Sequence, residues 1–315
     1  MKQTLKLRKL VKDLDLEILA GEKGIDFTVG VEMISRPGFE ILGYYQFSDP
    51  NRLMLIGVQE SNFLASKDEA TRRKMIEGLF ELKPPGFIFP VNEEVEQVLP
   101  IFKEFGNQYD LPVLRSGLNT TPLNSKLYVY LHKELSPKIG VHGVLLDIHG
   151  MGTLITGSSG IGKSETALEL IKRGHILVSD DLVEIYESTA GNLVGSAPNI
   201  LRRYLEIRGI GIVDVISMFG SGAYRESKKI NMVVELEAWQ KGKEYDRLGI
   251  STQMVKYFNT EVPKITIPVL PGRNIATLVE SAAMNEKLKN MGYNAAINFT
   301  QSVSALAKGE VDDED

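Results

Sequence analysis

The run Gly157-Ser158-Ser159-Gly160-Ile161-Gly162-Lys163-Ser164 constrains this chain more than any other feature, because its flanks already have the form its chemistry requires. An apolar stretch, Gly152 to Thr156, leads into it. Behind it, Ala167, Leu168, Leu170 and Ile171 lay an apolar stripe that Arg173-Gly174 ends. The spacing predicts a strand, a glycine-rich loop and a helix, in that order. Glycines there let backbone N–H groups converge on phosphate oxygens, and the first helical turn adds the positive end of its dipole. Lys163 is placed to reach the terminal phosphates, and the Ser164 hydroxyl to bind Mg²⁺. The chain reads as an enzyme or switch that handles a nucleoside triphosphate.

The flanking segments sharpen that reading. His142 to Ile148 is a second apolar run, joined to the loop strand by His149-Gly150-Met151, which predicts a β-hairpin. Pairing Ile148 with Thr153 and counting back sets His142 opposite Ser159, beside the transferring phosphate. His132 and His149 have no such support, and His175, at a helix-to-strand corner, reads as structural. The strand His175 to Ser179 then delivers two carboxylates, Asp180 and Asp181. A right-handed crossover lays that strand next to the loop strand, with both C-terminal ends on one edge. One aspartate can organise Mg²⁺ and the other can take a proton from an attacking hydroxyl. If both face the site they should titrate as a coupled pair, whereas strand alternation would separate them.

The remainder sets bounds. The 315 residues carry a formal net charge of -5 and no cysteine. That excludes disulfides, thiolate metal sites and thiol nucleophiles, and gives nucleic acid no surplus of cations to bind. No run of about 18 apolar residues suggests a membrane span, so a cytoplasmic location is expected. The basic start, Lys2, Lys6, Arg8, Lys9 and Lys12 among Leu5, Leu7, Leu10 and Val11, reads as an amphipathic element. From about Leu53 onward, apolar runs alternate with helical patterns: Leu53 to Val58, Asp68 to Glu81, Gly86 to Phe89, Glu93 to Phe105, Pro112 to Leu114. This predicts an α/β domain with some parallel pairing. A helical segment through Leu123, Leu127 and Leu131 meets breakers at Ser136-Pro137 and Gly140, which predicts a boundary. The expected division is residues 1–135, then 136–309, then an acidic tail at 310–315.

These residues resemble the bifunctional HPr kinase/phosphorylase family of bacterial sugar-uptake regulation. The resemblance rests on His142-Gly-Val-Leu-Leu-Asp147, the phosphate loop continuing to Leu170, Arg173-Gly-His175 and Leu177-Val-Ser-Asp-Asp181. It continues through Glu206 to Asp214, Asp246-Arg-Leu-Gly249, Ile265 to Asn274, Ala282-Ala-Met-Asn285 and Met291-Gly-Tyr-Asn294. Ile34 to Gly38 and Pro84-Pro-Gly86 extend it more weakly into the first domain. It implies a two-domain α/β protein whose C-terminal P-loop kinase domain resembles the nucleotide core of the phosphoenolpyruvate carboxykinases. The implied activity is phosphorylation of a serine on HPr by ATP or pyrophosphate, and phosphorolysis of phosphoserine-HPr by inorganic phosphate, in the service of carbon catabolite repression.

Further implications are a homohexamer that responds to glycolytic intermediates such as fructose 1,6-bisphosphate. By motif, Asp181 would be the proton carrier in both directions. His142 and Lys163 would assist at the phosphate, Ser164 and Glu206 would hold Mg²⁺, and Arg247 would be a further active-site residue. Pro268, Val269, Leu270, Pro271, Gly272 and Arg273 match the region tied to dephosphorylation, with Arg273 just ahead of a helix as an inorganic-phosphate contact. The sequence departs from the family's wording at Ile176, Ser179 and Leu270, the first and last standing where arginine is common. Two other readings stand beside it: a P-loop kinase of a small metabolite, and a nucleotide-gated switch without transfer.

Overall fold

The structure, a computed structural model, describes residues 3–189, 192–246 and 253–308. The chain forms two α/β units, Met1–Pro137 and Lys138–Asp315. Arg247 and the acidic run 310–315 lie outside the described residues.

In the first unit the order is β1 (Leu5–Lys6), α1 (Leu7–Leu14), β2 (Glu17–Ala20), β3 (Thr28–Val29), α2 (Gly38–Ile41) and β4 (Met54–Leu55). It continues with α3 (Val58–Ala65), α4 (Glu69–Glu81), β5 (Phe87–Phe89), α5 (Leu99–Tyr109), β6 (Val113–Arg115) and α6 (Thr120–Leu135). The basic start is amphipathic as expected, with Leu7, Leu10 and Leu14 buried on one side of α1. The run Leu53 to Val58 divides between β4 and the first residue of α3. Asp68 starts α4 by accepting a hydrogen bond from Thr71 N, which satisfies one of the free amides of the first turn. Strands β4, β5 and β6 pair in parallel and β2 joins β6 antiparallel, in the order β2-β6-β5-β4. Phe80, Phe87, Phe89 and Phe102 pack ring against ring in the core beside this sheet.

The second unit begins with β7 (Ile139–His142), β8 (Val144–Ile148), β9 (Met151–Gly157), α7 (Lys163–Lys172) and β10 (Ile176–Ser179). Next come β11 (Leu182–Thr189), β12 (Asn192–Ser196), β13 (Tyr204–Ile207), β14 (Gly211–Asp214), α8 (Val215–Phe219) and β15 (Ser227–Lys229). The unit closes with β16 (Met232–Ala238), β17 (Gln253–Tyr257), β18 (Thr260–Val269), α9 (Ile275–Asn290) and α10 (Ala295–Lys308). Its main sheet has the order β10-β8-β9-β16-β18-β17, with β9, β16 and β18 mutually parallel. Strand alternation sends Leu146, Ile155 and Val234 into a core with Ala167 and Leu170 of α7 and Val279 and Ala283 of α9. Leu145, Leu154 and Val233 go into another, with Val183, Ile185 and Leu193 of a four-stranded sheet ordered β15-β12-β11-β7.

Two expectations about this sheet need correction. The hairpin is tighter than the sequence suggests: Ile148 pairs with Met151, not Thr153. The reason is a two-residue turn at His149 and Gly150, both at positive φ (51° and 90°), the backbone that matches the twist of paired strands. The chain also changes sheets at Gly143, so His142 belongs to β7 and pairs with Leu182. It does not face Ser159. The strand carrying the aspartates, β10, lies antiparallel to β8, so β8 separates it from the loop strand β9. Two antiparallel steps restore its direction, so the C-terminal ends of β9 and β10 still share an edge.

Asp147 in β8 illustrates how this unit is held. Its carboxylate is buried and Oδ2 accepts from Lys228 Nζ at 2.8 Å and from Arg225. Burial pushes the Asp147 carboxyl up, but the hydrogen bonds and charges of Lys228 and Arg225 outweigh it and hold the group below the usual carboxylate range. Asp147→Asn is expected to destabilise the unit by about 1–3 kcal/mol at neutral pH, measured by urea unfolding. A lowered folded pKa gives stability that is present above the ordinary carboxylate pKa and lost as pH falls through the lowered value. The gap between wild type and variant should therefore narrow in acid.

Candidate active site at the phosphate loop

The loop after β9 has the backbone its sequence demands. Gly157 stands at φ 140°, and a Cβ there would come within 2.4 Å of Leu236 O on the neighbouring strand. Gly162 caps α7 from the left-handed region at φ 99°, with no side chain on the first-turn amides. Those amides are left for a ligand, at the end of the helix where the dipole favours an anion. Lys163 Nζ donates to Gly157 O and Ser158 O, each at 3.0 Å, which ties the loop to its own helix.

One pocket collects Ser159, Gly160, Gly162, Lys163 and Ser164 with Asp180, Asp181, Glu206 and Arg208. The two aspartates have different surroundings. Asp180 is only 4% exposed; Oδ1 accepts from Ser164 Oγ and Oδ2 from Glu206 N, both at 3.0 Å. Burial pushes its carboxyl up, partly opposed by those two hydrogen bonds. Asp181 is exposed at the rim, at φ 65°, and its carbonyl accepts from Gly143 N at 3.0 Å. Both residues lie past the end of β10, where strand alternation no longer applies, and at the left-handed Asp181 the chain passes from a buried carboxylate to an exposed one within the same pocket. His142, exposed, reaches the neighbourhood through the pairing of β7 with β11, one residue from Asp181.

Arg208 lies within the run Glu206 to Asp214, but nothing local in the sequence marks it for the site. Its Nη2 donates to Ser159 Oγ at 3.3 Å, so hairpin β13–β14 delivers both Glu206 and a cation to the loop. Only the hairpin's position makes that visible. A second groove also touches the loop, lined by Ile161, Gly162, Glu165, Gly272, Arg273 and Asn274. Pro268 and Val269 end β18, and Leu270 O accepts from Arg273 N in the turn through Pro271 and Gly272. Asn274 then caps α9 by accepting from Thr277 N at 2.9 Å. Arg173, read from sequence as a helix stop, joins the end of α7 to this region. It donates to Glu280 Oε2 at 2.7 Å and Thr277 Oγ1 at 3.0 Å.

Comparison with known proteins agrees along the chain. A family model described as HPr Serine kinase N terminus matches residues 5–131, and one described as HPr Serine kinase C-terminal domain matches residues 133–303. An HPr kinase/phosphorylase of Listeria monocytogenes serotype 4a is 45% identical over 306 residues, 97% of each chain. One from Bacillus pumilus is 44% identical over 307 residues, 98% of each. A solved HPr(Ser) kinase/phosphatase chain from Coxiella burnetii is 37% identical with a TM-score of 0.47, covering 51% of this chain and 98% of its own. With both of its domains matched and nearly its whole length aligned at 45% identity, this chain belongs to the HPr serine kinase family.

Proposed function

We propose that this protein moves the terminal phosphoryl group of ATP or pyrophosphate onto a serine of HPr, and that it also lets inorganic phosphate attack phosphoserine-HPr. The observation that carries the reading is the convergence of Asp181 with Lys163 and Ser164 on one pocket beside the loop amides. A switch needs no carboxylate there, whereas a seryl hydroxyl is a poor nucleophile until a base takes its proton.

In the forward direction Asp181 accepts the seryl proton as the oxygen bonds to the terminal phosphorus, and the bond to the bridging oxygen breaks to release ADP or phosphate. In reverse, a phosphate oxygen attacks the seryl phosphorus, the bond to the seryl oxygen breaks, and Asp181 returns the proton. Loop amides, Lys163 and Arg208 offset charge on the phosphoryl oxygens, with His142 assisting from beside Asp181. Ser164, Asp180 and Glu206 make an all-oxygen set of the kind Mg²⁺ takes. The Ser164 hydroxyl donates its hydrogen bond to Asp180, which leaves the oxygen lone pairs for a cation. Bound there, Mg²⁺ would neutralise charge on the donor phosphates.

Gly272 and Arg273 line the groove at Ile161 and Gly162 of the loop, a position suited to incoming phosphate, while Leu270 supplies no cation to it. Arg247 keeps the role its motif implies. The nucleotide core is of the phosphoenolpyruvate carboxykinase kind, and the protein works as a cytoplasmic homohexamer in carbon catabolite repression, with fructose 1,6-bisphosphate as an effector. Among the described residues no helix is long and apolar enough to cross a membrane.

Incubation of the full chain with HPr, labelled ATP and Mg²⁺ should label a serine, and phosphoserine-HPr with inorganic phosphate should yield pyrophosphate. Phosphorylation of small metabolites without HPr would instead establish a metabolite kinase. Nucleotide binding without any transfer would establish a switch.

A further inference from the structure

At the end of the main sheet away from the phosphate loop, three side chains from separate parts of the sequence meet. His149 comes from the β8–β9 turn, His175 from the corner before β10, and Glu280 from α9. Both imidazoles present Nε2 to the same carboxylate oxygen: Glu280 Oε1 lies 3.0 Å from His175 Nε2 and 3.4 Å from His149 Nε2. The rings meet edge to face, with centroids 4.6 Å apart. All three candidate ligand atoms lie within 4.8 Å of one another.

These spacings fit a metal. Tetrahedral bonds of about 2.0–2.2 Å to zinc place neighbouring ligand atoms about 3.3–3.6 Å apart, so the 3.4 Å contact already has that spacing and the 3.0 Å hydrogen bond need open only slightly. His175 is 4% exposed and fixes one corner, whereas His149, on an exposed turn, is free to adjust. Glu280 is positioned from behind, since Arg173 Nη1 holds Oε2 at 2.7 Å and leaves Oε1 for the histidines. The nearby cation is itself balanced, because Arg173 also pairs with Glu169.

We propose that His149, His175 and Glu280 form a binding site for a divalent transition metal of the zinc class, with a fourth position open to water. Nitrogen ligands select such ions over Mg²⁺, while the phosphate pocket offers oxygen donors. The seven residues of β9 separate this turn from the phosphate loop, roughly 20 Å along the strand. The site is thus distinct from the one that handles the nucleotide. Through Arg173, which also donates to Thr277 Oγ1, an ion here would brace the start of α9 against α7.

Tag-free full-length protein titrated with Co²⁺ tests this. Tetrahedral Co²⁺ gives strong visible d–d bands, whereas Co²⁺ on oxygen donors in an octahedral setting gives weak ones. One equivalent should develop the strong bands, and Zn²⁺ should remove them. His149→Ala and Glu280→Gln should each weaken binding by at least about tenfold, the lower end of what loss of even an outer partner costs. His149 is on an exposed turn, so its replacement leaves the fold standing should Glu280→Gln not fold. Absence of the bands in wild type, or bands of undiminished affinity in His149→Ala, would overturn the proposal.

Discussion

Asp181→Asn is expected to lose seryl phosphorylation and phosphorolysis together, each by about 10²–10⁴-fold, the usual contribution of a positioned acid or base. The two losses are linked because the group that removes a proton from the seryl oxygen is the group that must return it when the step runs backwards. Folding should be spared. Asp181 occupies the left-handed region at φ 65°, which asparagine adopts as readily as aspartate. Nucleotide binding should also persist, since the loop amides and Lys163 are intact. The measurement is the pair of rates on HPr and phosphoserine-HPr beside a nucleotide-binding isotherm. Survival of either rate would show that Asp181 is not the shared proton carrier.

Gly157→Val is expected to act on both stability and binding. At φ 140° a β-branched side chain pays a backbone strain of about 1–3 kcal/mol. Its Cβ would also lie 2.4 Å from Leu236 O, part of the parallel pairing of β9 with β16. Relieving that overlap costs about 1–3 kcal/mol more, or else shifts the loop and with it the converging amides. Urea unfolding should show the first effect and fluorescent-nucleotide titration the second. A variant with wild-type midpoint and wild-type affinity would mean that the loop backbone tolerates what the geometry forbids.

Much of the local structure was legible because it depends on short stretches of chain. A strand, a glycine loop and an apolar helix face within Gly152 to Ile171 specify one another over twenty residues. Asp68 ahead of α4 and the spaced leucines of α1 are equally local signals. The hairpin register was not legible. Both faces of β8 and most of β9 are buried, so no apolar-polar alternation distinguishes pairing Ile148 with Met151 from pairing it with Thr153. The turn at His149-Gly150 decides it, and with it the position of His142.

Sequence by itself determined the chemistry that is available: a phosphate loop, carboxylates soon after it, histidines without cysteines, and a family whose motifs run through both domains. Tertiary structure alone decided which of those groups meet. It buried Asp180 against Ser164 and Glu206 N while leaving Asp181 at the rim, brought Arg208 to Ser159, and gathered His149, His175 and Glu280 from residues up to 131 positions apart. The physical reason is that such meetings depend on strand register, sheet order and the path of the crossovers. Those are set by packing summed over whole units and leave no periodic trace at the residues they bring together.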